Sequence, residues 1–394
     1  MSGGPGTVPP VPPADVLPID PHNPNPRTLA IAADVIRRGG LVAFPTETVY
    51  GLGANALDDA AVARIYQAKQ RDASDPLIVH LADAADLPRV ADDIPPVLEL
   101  LAERFWPGPL TVVIGRHPRV PGRVSAGRPT VAVRVPAHAV ASGLIAASGV
   151  PIAAPSANRF MRTSATQAAH VQADLGDAIN LILDGGPTEI GLESTVVACD
   201  VDGAIRVLRV LRVGAVSVEA ITAVLREGGF DLAVVVGAFH RSPTGSTEGD
   251  LSPGLLETHY APRARLILFS GEQYAAVSAI GRAVTDAIRA GERVGILVYD
   301  DDLPAISAVV PLRAGSVTVA RVGASSAPEV VAHRLFAALR ELDAAAVTVI
   351  VARTTTPVTY VPGAAPLPGG IGLARAIDDR LIRAAGSRVE STSA

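Results

Sequence analysis

The chain of 394 residues contains a single cysteine, a single tryptophan and a single lysine, and only 4% of its residues are aromatic. One cysteine, Cys199, excludes an internal disulfide framework and any zinc site built from several thiolates. The net charge of −5 disfavours a protein coated for non-specific binding to nucleic acid. Apolar runs are broken by Gly, Pro or a charge well before a membrane-spanning length. These absences predict a soluble, cytoplasmic protein with no membrane partner.

What is present is a chain rich in Ala and Val, in which 48% of residues are hydrophobic, and this favours packed α/β layers. Its length favours two domains over a single core. A stretch rich in Gly, Ser and Pro, HRSPTGSTEGDLSPGLLETHYAP, separates two segments of alternating helix and strand patterns. The predicted divisions are a disordered leader at 1–16, an α/β domain at 17–226, a linker at 227–262, a second α/β domain at 263–386 and a loose tail at 387–394.

Lys69 is the only lysine, and Arg71 follows it at the end of a helix predicted to begin at Asp58 or Asp59. Residues two apart do not share a helix face, so the two cations converge only if the backbone leaves the helix there, as RDASDP suggests. One interpretation is compensation of the helix dipole, which arginine performs equally well. The other is a need for a compact ammonium in phosphate coordination, Schiff-base or general-base chemistry. Walker A and serine–lysine hydrolase motifs are absent around Lys69.

Three further polar groups follow or interrupt apolar strands. The segment APSANRFMRTSATQAAHV places Ser156, Asn158 and Ser164 in a loop, although the same pattern is typical of a turn with a helix cap. Ser194 enters a strand within GLESTVV. Arg134 interrupts the apolar strand VAVRVP, and it either points to solvent at a sheet edge or meets an anion in a cleft.

Seven short segments occur together in an order and spacing that resemble a known family. They are FPTETVYGLGANA, AKQRDASDPLIVH, FWPGPLT, VAVRVPAH, APSAN, GLESTVV and LRVGAV. The chain resembles the YrdC-like L-threonylcarbamoyladenylate synthases from about Val16 to Ala385, and SPGLLETHYAP with the second α/β segment resembles their longer, two-domain form. The resemblance implies a YrdC-like twisted mixed sheet with helices, followed by a smaller Rossmann-like parallel α/β domain.

The resemblance also implies a reaction. L-Threonine, bicarbonate and ATP would give threonylcarbamoyl-AMP and pyrophosphate, with Mg²⁺ held mainly by the ATP phosphates and no metal site built from the protein. The product would pass to the machinery that transfers the threonylcarbamoyl group to the tRNA adenosine beside the anticodon. Fixed cations aimed at the charge that develops on the phosphates suit such a reaction.

Site residues follow from the resemblance, position by position. The family's Lys-x-Arg and Ser-x-Asn tetrad, which the resemblance makes catalytic, falls on Lys69, Arg71, Ser156 and Asn158. The implied ATP contacts are Arg71, Asp75, Thr130, Ser156, Ser164, Arg212 and Tyr260, of which Tyr260 would serve as a lid. The implied threonine contacts are Thr48, His80, Arg134, Ala154 and Ser194, with Arg134 as the clamp for the carboxylate.

The chain departs from the family pattern near the nucleotide but not at the tetrad. Met161 replaces a common glycine, Ala165 and Val213 replace prolines, and Asp75 stands where asparagine is common. A carboxylate at position 75 is costly near phosphates unless a metal or an arginine offsets it. In RVLRVLRVG, a second arginine three residues earlier, Arg209, is an alternative to the implied nucleotide contact at position 212.

Three rival functions are weighed against the synthase. A double-stranded RNA-binding module, or weak RNA binding beside catalysis, is disfavoured as the main role by net acidity and few aromatics. Carbamoyl transfer in hydrogenase maturation involves additional cysteine-rich zinc modules, which one cysteine cannot build. A pyridoxal phosphate anchor at Lys69 is the third rival, and a colourless purified protein would dismiss it.

Overall fold

A computed structural model describes residues 14–92, 94–202, 205–237, 259–310, 315, 317–357, 371–386 and 388–392. We call residues 14–237 the first unit, residues 259–264 the strap and residues 265–392 the second unit. Within these residues, no helix combines the length and the apolar character that a membrane span requires.

The first unit is built on a mixed sheet of eleven described strands. They are β1 (Asp15–Pro18), β2 (Val42–Phe44), β3 (Gly51–Asn55), β4 (Ile78–His80), β5 (Leu110–Gly115), β6 (Thr130–Arg134), β7 (Ile152–Ala153), β8 (Leu181–Asp184), β9 (Thr195–Asp202), β10 (Ile205–Arg212) and β11 (Ala233–Val236). The strand order is β1-β8-β2-β3-β7-β4-β6-β5-β9-β10-β11. Parallel pairs such as β4 with β6 alternate with antiparallel pairs such as β4 with β7, which confirms the predicted mixed sheet.

Helices cover this sheet. They are α1 (Pro26–Arg37), α2 (Asp59–Lys69), α3 (Pro96–Phe105), α4 (Ala139–Ser148), α5 (Ala168–Leu175) and α6 (Val218–Glu227), with short 3-10 helices at Ala84–Arg89 and Gly122–Ser125. The side chain of Asn25 caps α1 and Pro26 occupies its first turn, an arrangement that starts helices well because Pro lacks an N–H. The side chain of Asp58 caps α2 by accepting from two backbone N–H groups, so Asp58 rather than Asp59 begins that helix.

The second unit is a smaller sheet of five described strands, with helices between most of them. The strands are β12 (Arg265–Gly271), β13 (Val294–Val298), β14 (Val317–Arg321), β15 (Val349–Arg353) and β16 (Val389–Thr392), and the helices are α7 (Gln273–Arg289), α8 (Leu303–Val309), α9 (Pro328–Ala344) and α10 (Gly372–Ala385). Every strand pair is parallel, in the order β14-β13-β15-β12-β16. All five residues of β13 and of β15 are buried, as expected for a parallel sheet covered on both faces. The predicted parallel α/β domain is confirmed.

The two units share one apolar core. Val210 of the first unit and Phe336 on α9 belong to the same buried cluster. An ion pair crosses the boundary between Arg340 on α9 and Asp174 on α5, with 2.7 Å between Arg340 Nη2 and Asp174 Oδ2. The units therefore pack directly against each other.

Gly191 lies at a close approach between the two units. Its φ of +81° is in the left-handed region, and a Cβ at this position would lie 2.5 Å from the carbonyl oxygen of Ala332 and 2.7 Å from the Cα of His333, both on α9. Glycine is required here for both reasons.

Three predicted boundaries differ from the structure. The leader was predicted to end at residue 16, whereas β1 begins at Asp15 and pairs with β8. The predicted linker, 227–262, includes β11, whose apolar residues add an edge strand beside β10, while 238–258 lies outside the described residues. The tail predicted to be loose, 387–394, contains β16, which pairs with β12 and so supplies backbone partners to that strand.

Candidate functional site

A cleft lies beside the C-terminal ends of β4 and β6, between the first unit and the strap. Its empty volume is about 530 Å³, including the space that opens to solvent. The cleft is lined by Thr46, Thr48, Val49, Gly51, Arg71, Ile78, His80, Arg134, Ala154, Pro155, Ser156, Glu193, Ser194, Arg212, His259 and Tyr260.

The end of α2 brings the two predicted cations to the same side. Gln70 adopts a left-handed conformation with φ 53°, and the Arg71 N–H donates to the carbonyl of Tyr66 at 3.0 Å. Such a residue ends a helix and turns the chain sharply. Because the helix ends between them, the side chains of Lys69 and Arg71 can lie on the same side, which residues two apart within a helix cannot do.

The ammonium of Lys69 is buried against the loop that carries Ser156 and Asn158. Its Nζ donates to the carbonyl oxygen of Ser156 at 2.6 Å and to the carbonyl oxygen of Asn158. Only 1% of Lys69 is exposed, and burial, together with the charge of Arg71, lowers the pKa of the amine well below its usual value. Lys69 thus does not line the cleft, and its ammonium holds the backbone of the loop that does.

The Ser156–Asn158 turn is also held by its own side chains. Asn158 Nδ2 donates to the carbonyls of Arg159 and Arg162 at 2.8 and 2.9 Å. Its Oδ1 is buried and makes no hydrogen bond with the described residues. Ser156 faces the cleft, whereas Asn158 shapes the turn.

Arg71 reaches the cleft and is fixed by Asp75. Arg71 Nη2 lies 2.8 Å from Asp75 Oδ2 and 2.8 Å from the carbonyl oxygen of Pro76, and the guanidinium lies over the Phe160 ring at 5.6 Å. The ion pair offsets the carboxylate at position 75, as the sequence required of an arginine there. The predicted ATP contact at Asp75 is thus engaged by Arg71 and does not line the cleft.

Arg134 lies in the cleft and not at a sheet edge, because β6 has strand neighbours on both sides. It donates from Nε to the Gly108 carbonyl at 3.1 Å and from Nη1 to Thr48 Oγ1 at 2.9 Å, and Nη2 lies 2.6 Å from Glu47 Oε1. Burial opposes the charge on Glu47, but the Arg134 charge and hydrogen bond hold the pKa of this carboxyl below its usual value. Sequence reasoning missed Glu47, although it quoted the TET segment that contains it.

His80 and Ala154 complete this end of the cleft. His80 is the register partner of Arg134 across β4 and β6, and its ring lies edge-on to Phe44 at 6.4 Å. Burial, aided by the Arg134 charge, lowers the pKa of His80 to about 3, so the ring is neutral at physiological pH. The Ala154 N–H donates to the Ile78 carbonyl at 2.9 Å, which leaves its methyl group in the wall of the cleft.

Arg212 and Ser194 lie side by side in the cleft lining. Arg212 donates to the Ser194 carbonyl at 3.0 Å and to Ser194 Oγ at 3.1 Å, and Thr111 Oγ1 lies 2.8 Å from the same hydroxyl. The register of β9 and β10 shifts between Val210 and Arg212, which re-aims the end of β10. Of the two arginines that the sequence left open, Arg212 lines the cleft and Arg209 does not.

The strap closes the cleft with two aromatic residues. His259 and Tyr260 both line it, with ring centroids 4.1 Å apart, and both are buried. His259 Nδ1 and the Tyr260 hydroxyl make no hydrogen bond with the described residues. Buried polar groups normally have partners, so these two atoms are suited to meet a ligand. Sequence reasoning selected Tyr260 and missed its neighbour within the quoted ETHYAP segment.

Two predicted ATP contacts lie outside the cleft lining. Thr130 begins β6, at the end opposite Arg134. Ser164 is fully buried, does not cap α5, and donates to Glu193 Oε1 at 2.5 Å. Glu193 lines the cleft and was not selected from the sequence, although it lies within the quoted GLESTVV segment.

The departures from the family pattern have local explanations. Met161 adopts a φ of 64°, a conformation that favours glycine, which accounts for the usual residue at this position. The Ala165 carbonyl accepts from the Tyr50 N–H at 2.8 Å, and the Val213 carbonyl accepts from Arg380 at 3.0 Å. Proline offers the same carbonyl, so these two bonds form with either residue, and nothing in the structure explains the alanine and the valine.

Comparison with known proteins agrees with this architecture. Residues 34–210 match the Sua5/YciO/YrdC family model, described as telomere recombination, and residues 216–386 match the model of the threonylcarbamoyl-AMP synthase C-terminal domain. A Bacillus subtilis protein named threonylcarbamoyl-AMP synthase is 40% identical over 93% of this chain and 95% of its own length. A Pyrococcus abyssi protein of the same name is 40% identical over 92% of this chain and 95% of its own length.

A solved structure extends the similarity to three dimensions. The crystal structure of Pyrococcus abyssi Sua5 complexed with L-threonine superposes with a TM-score of 0.79 at 37% identity, covering 96% of this chain and all of that one (100%). The chain therefore belongs to the Sua5/YciO/YrdC family, in the two-domain form that carries the threonylcarbamoyl-AMP synthase C-terminal domain.

Proposed function

We propose that this chain makes L-threonylcarbamoyl-AMP and pyrophosphate from L-threonine, bicarbonate and ATP. The threonine amine first takes up the carbon of bicarbonate, giving a carbamate with loss of water. A carbamate oxygen then attacks the α-phosphorus, the new O–P bond forms as the bond to the bridging oxygen breaks, and pyrophosphate leaves with the electron pair. The names of the relatives and the threonine bound to the Pyrococcus abyssi structure support this assignment.

The observation that carries the proposal is the convergence of three guanidinium groups on one cleft. Arg71 follows α2, Arg134 ends β6 and Arg212 ends β10, and all three line the same space. The reaction brings an anionic nucleophile to a triphosphate and releases another anion. Cations already held in place lower the energy of such a transition state without reorganisation.

Arg134 would bind the threonine carboxylate at one end. Its guanidinium has five N–H groups. The bonds to Gly108 and Thr48 use two of them and Glu47 takes up one on Nη2, so one N–H on each terminal nitrogen remains for a carboxylate. Thr48, Ser194 and the neutral His80 surround the same end and suit the amine, hydroxyl and methyl groups of an amino acid. Ala154 limits the size of the side chain that fits.

Arg71, Ser156 and Arg212 would face the triphosphate at the other end. Lys69 would act as a positioning residue, because its ammonium holds the carbonyls of Ser156 and Asn158 and so sets the direction of the turn. Positioning accounts for most of what a protein contributes to phosphoryl transfer.

Magnesium enters the proposal as an ion carried by the ATP phosphates, where it would neutralise charge. Glu193, a carboxylate in the cleft wall, has both oxygens engaged by Ser164 and Arg380, which fits a substrate-borne ion better than a protein-bound one. Among the described residues, no group of three or more His, Cys, Asp or Glu side chains is arranged to hold a metal. The product is a mixed anhydride, so a transferase that acts on a tRNA adenosine would consume it.

The experiment that tests the proposal is release of pyrophosphate from ATP by the purified full chain. Release should require both L-threonine and bicarbonate, and omission of either should reduce it to background. Arg134→Gln should raise the KM for threonine more than the KM for ATP. Release of pyrophosphate that does not respond to threonine would overturn the proposal.

A further inference from the structure

Arg380 is a fully buried arginine on α10 of the second unit, and it reaches the wall of the cleft. Its Nε donates to Glu193 Oε2 at 2.7 Å, its Nη1 to Asp379 Oδ2 at 2.6 Å and its Nη2 to the Val213 carbonyl at 3.0 Å. The exposed fraction of its side chain is 0%. A buried guanidinium persists only when its donors are satisfied, and here two of its three partners belong to the first unit.

Glu193 is the partner of Arg380 in the cleft wall. One carboxylate oxygen accepts from Arg380 and the other accepts from the Ser164 hydroxyl at 2.5 Å, so the group is held from two sides while it lines the cleft. Its charge is balanced by a residue from the second unit. Without that balance, a carboxylate would lie in the wall of a site that binds phosphates.

The flat face of Arg380 also supports Tyr260. The guanidinium carbon lies 4.9 Å from the centre of the Tyr260 ring, and Phe336 on α9 stacks on the same ring at 5.7 Å with planes 25° apart. The Tyr260 carbonyl accepts from Thr163 Oγ1 at 3.2 Å. The ring therefore enters the cleft in one orientation, fixed from the second unit.

We propose that Arg380 is a positioning residue for the nucleotide, which neutralises and fixes Glu193 on one side and orients Tyr260 on the other. The inference rests on the proposed function and extends it. The second unit, through α10, sets the charge and shape of the ATP-binding wall.

Four variants of the full chain test this role, namely Arg380→Met, Arg380→Lys, Glu193→Gln and the double variant Arg380→Met with Glu193→Gln. Arg380→Met should raise the KM and the Kd for ATP about tenfold or more, because the uncompensated Glu193 carboxylate would face the phosphates, and juxtaposed like charges weaken binding. Arg380→Lys should recover part of the loss, because an ammonium balances the charge without reproducing the fork. The double variant should bind ATP better than Arg380→Met alone, because it no longer carries the uncompensated carboxylate.

Arg353 provides the matched control. It is another buried arginine of the second unit. It pairs with Asp302 at 2.5 Å and lies over the Tyr299 ring at 4.5 Å, and it is not one of the described residues that line the cleft. Arg353→Met should lower the thermal midpoint without raising the KM for ATP. An equal rise in KM in both variants, or a double variant that binds ATP no better than Arg380→Met, would overturn the proposal.

Failure of the proposed function gives a different result. If wild-type protein binds ATP but releases no pyrophosphate in response to threonine, the synthase assignment fails, while the Kd values of the same variants still decide the role of Arg380. If wild-type protein does not bind ATP, the positioning role for the nucleotide is overturned. Amide hydrogen exchange of residues 191–196 adds a readout that does not depend on ATP. Faster exchange in Arg380→Met than in Arg353→Met supports fixing of Glu193 by Arg380, and equal exchange refutes it.

Discussion

The ammonium of Lys69 lies between two backbone carbonyl oxygens at the end of a helix, and its long side chain is almost fully buried. A guanidinium is planar and larger than an ammonium, and its donors point along fixed directions. The pocket between the Ser156 and Asn158 carbonyls therefore suits lysine alone. This explains why one lysine persists in a chain that otherwise uses arginine.

We expect Lys69→Arg to fold but to lose at least about a hundredfold in pyrophosphate release, because a turn displaced by about 1 Å costs that much. Overpacking should also lower the free energy of unfolding by about 1–3 kcal/mol. The control is Arg64→Lys, on the same helix, where the side chain donates to the Gly39 carbonyl at 2.8 Å and does not line the cleft. Steady-state rates and thermal unfolding measure both effects, and wild-type turnover in Lys69→Arg would refute the positioning role.

His80 links the stability of the first unit to pH. Its pKa is lowered to about 3 from 6.5 by burial and by the Arg134 charge, while Glu47 acts in the opposite direction. The unfolded chain therefore binds a proton at higher pH than the folded chain. The contribution of His80 to the free energy of unfolding is therefore fully present above about pH 6.5, and it is lost as the pH falls toward 3.

We expect the free energy of unfolding to fall by about 2 kcal/mol between pH 6.5 and pH 4.5 from His80 alone. His80→Asn should make the pH dependence shallower by that amount, since asparagine does not titrate. The exposed residue His22 supplies the control variant His22→Gln. Urea unfolding at several pH values provides the measurement, and equal pH slopes in wild type and His80→Asn would contradict the assignment.

At the scale of elements, the register shift in β10 decides which arginine enters the cleft. We expect Arg212→Ala to raise the KM for ATP about tenfold or more, because a charged contact in the cleft is lost. Arg209→Ala should change the KM by less than about twofold because Arg209 does not line the cleft, while the loss of a buried arginine should lower stability. Initial rates at varied ATP test the pair, and the reverse order of effects would mean that the cleft uses the other arginine.

The sequence predicted helices and strands where the periodicity of apolar residues was clear. The prediction failed where tertiary packing overrides local propensity. The helix ending at Lys69 and the break after it were predicted, because Asp58 and the polar RDASDP segment are local signals. The strand β3 was missed because GLGAN contains two glycines. A Cβ at Gly53 would lie 2.7 Å from Phe44 and 2.8 Å from Ile152, so neighbouring strands, not local preference, require glycine there.

For the site as well, residues with a local signal were predicted, and residues that depend on distant contacts were not. The sequence singles out Arg134 as a charge in an apolar strand. Its partner Glu47 could not be identified, because the sequence does not tell which loop packs against β6. Glu193 and Arg380 were missed because their contact joins residues 187 positions apart. In isolation the segment AIDDRLI resembles the charged face of a surface helix. It is buried because α10 packs on α9 and β12 and because Arg380 contacts the first unit, and no local signal reports that packing.

At the scale of the molecule, the contact of Gly191 with α9 offers a test of how the units are joined. Gly191→Ala should cost about 1–2 kcal/mol for its left-handed backbone and about 1–3 kcal/mol more for the clash with Ala332 and His333. Gly186 is the matched control, because its φ is +82° but a Cβ would meet nothing within 4 Å. Denaturant unfolding measures the free energy of unfolding of both alanine variants, and the difference between them is the cost of the clash with α9. Equal losses of stability would show that α9 moves to accommodate the methyl group.

The placement of Arg380 near the C-terminus of the chain has a consequence for protein synthesis. The first unit leaves the ribosome well before α10 does, and N-terminal domains generally fold as they emerge. During that interval Glu193 lacks its cationic partner, and Tyr260 lacks the guanidinium that supports its ring. A polypeptide that stops before α10 would therefore lack the fixed Glu193 and the supported Tyr260 of the proposed ATP site, and both would be in place only once α10 has been translated.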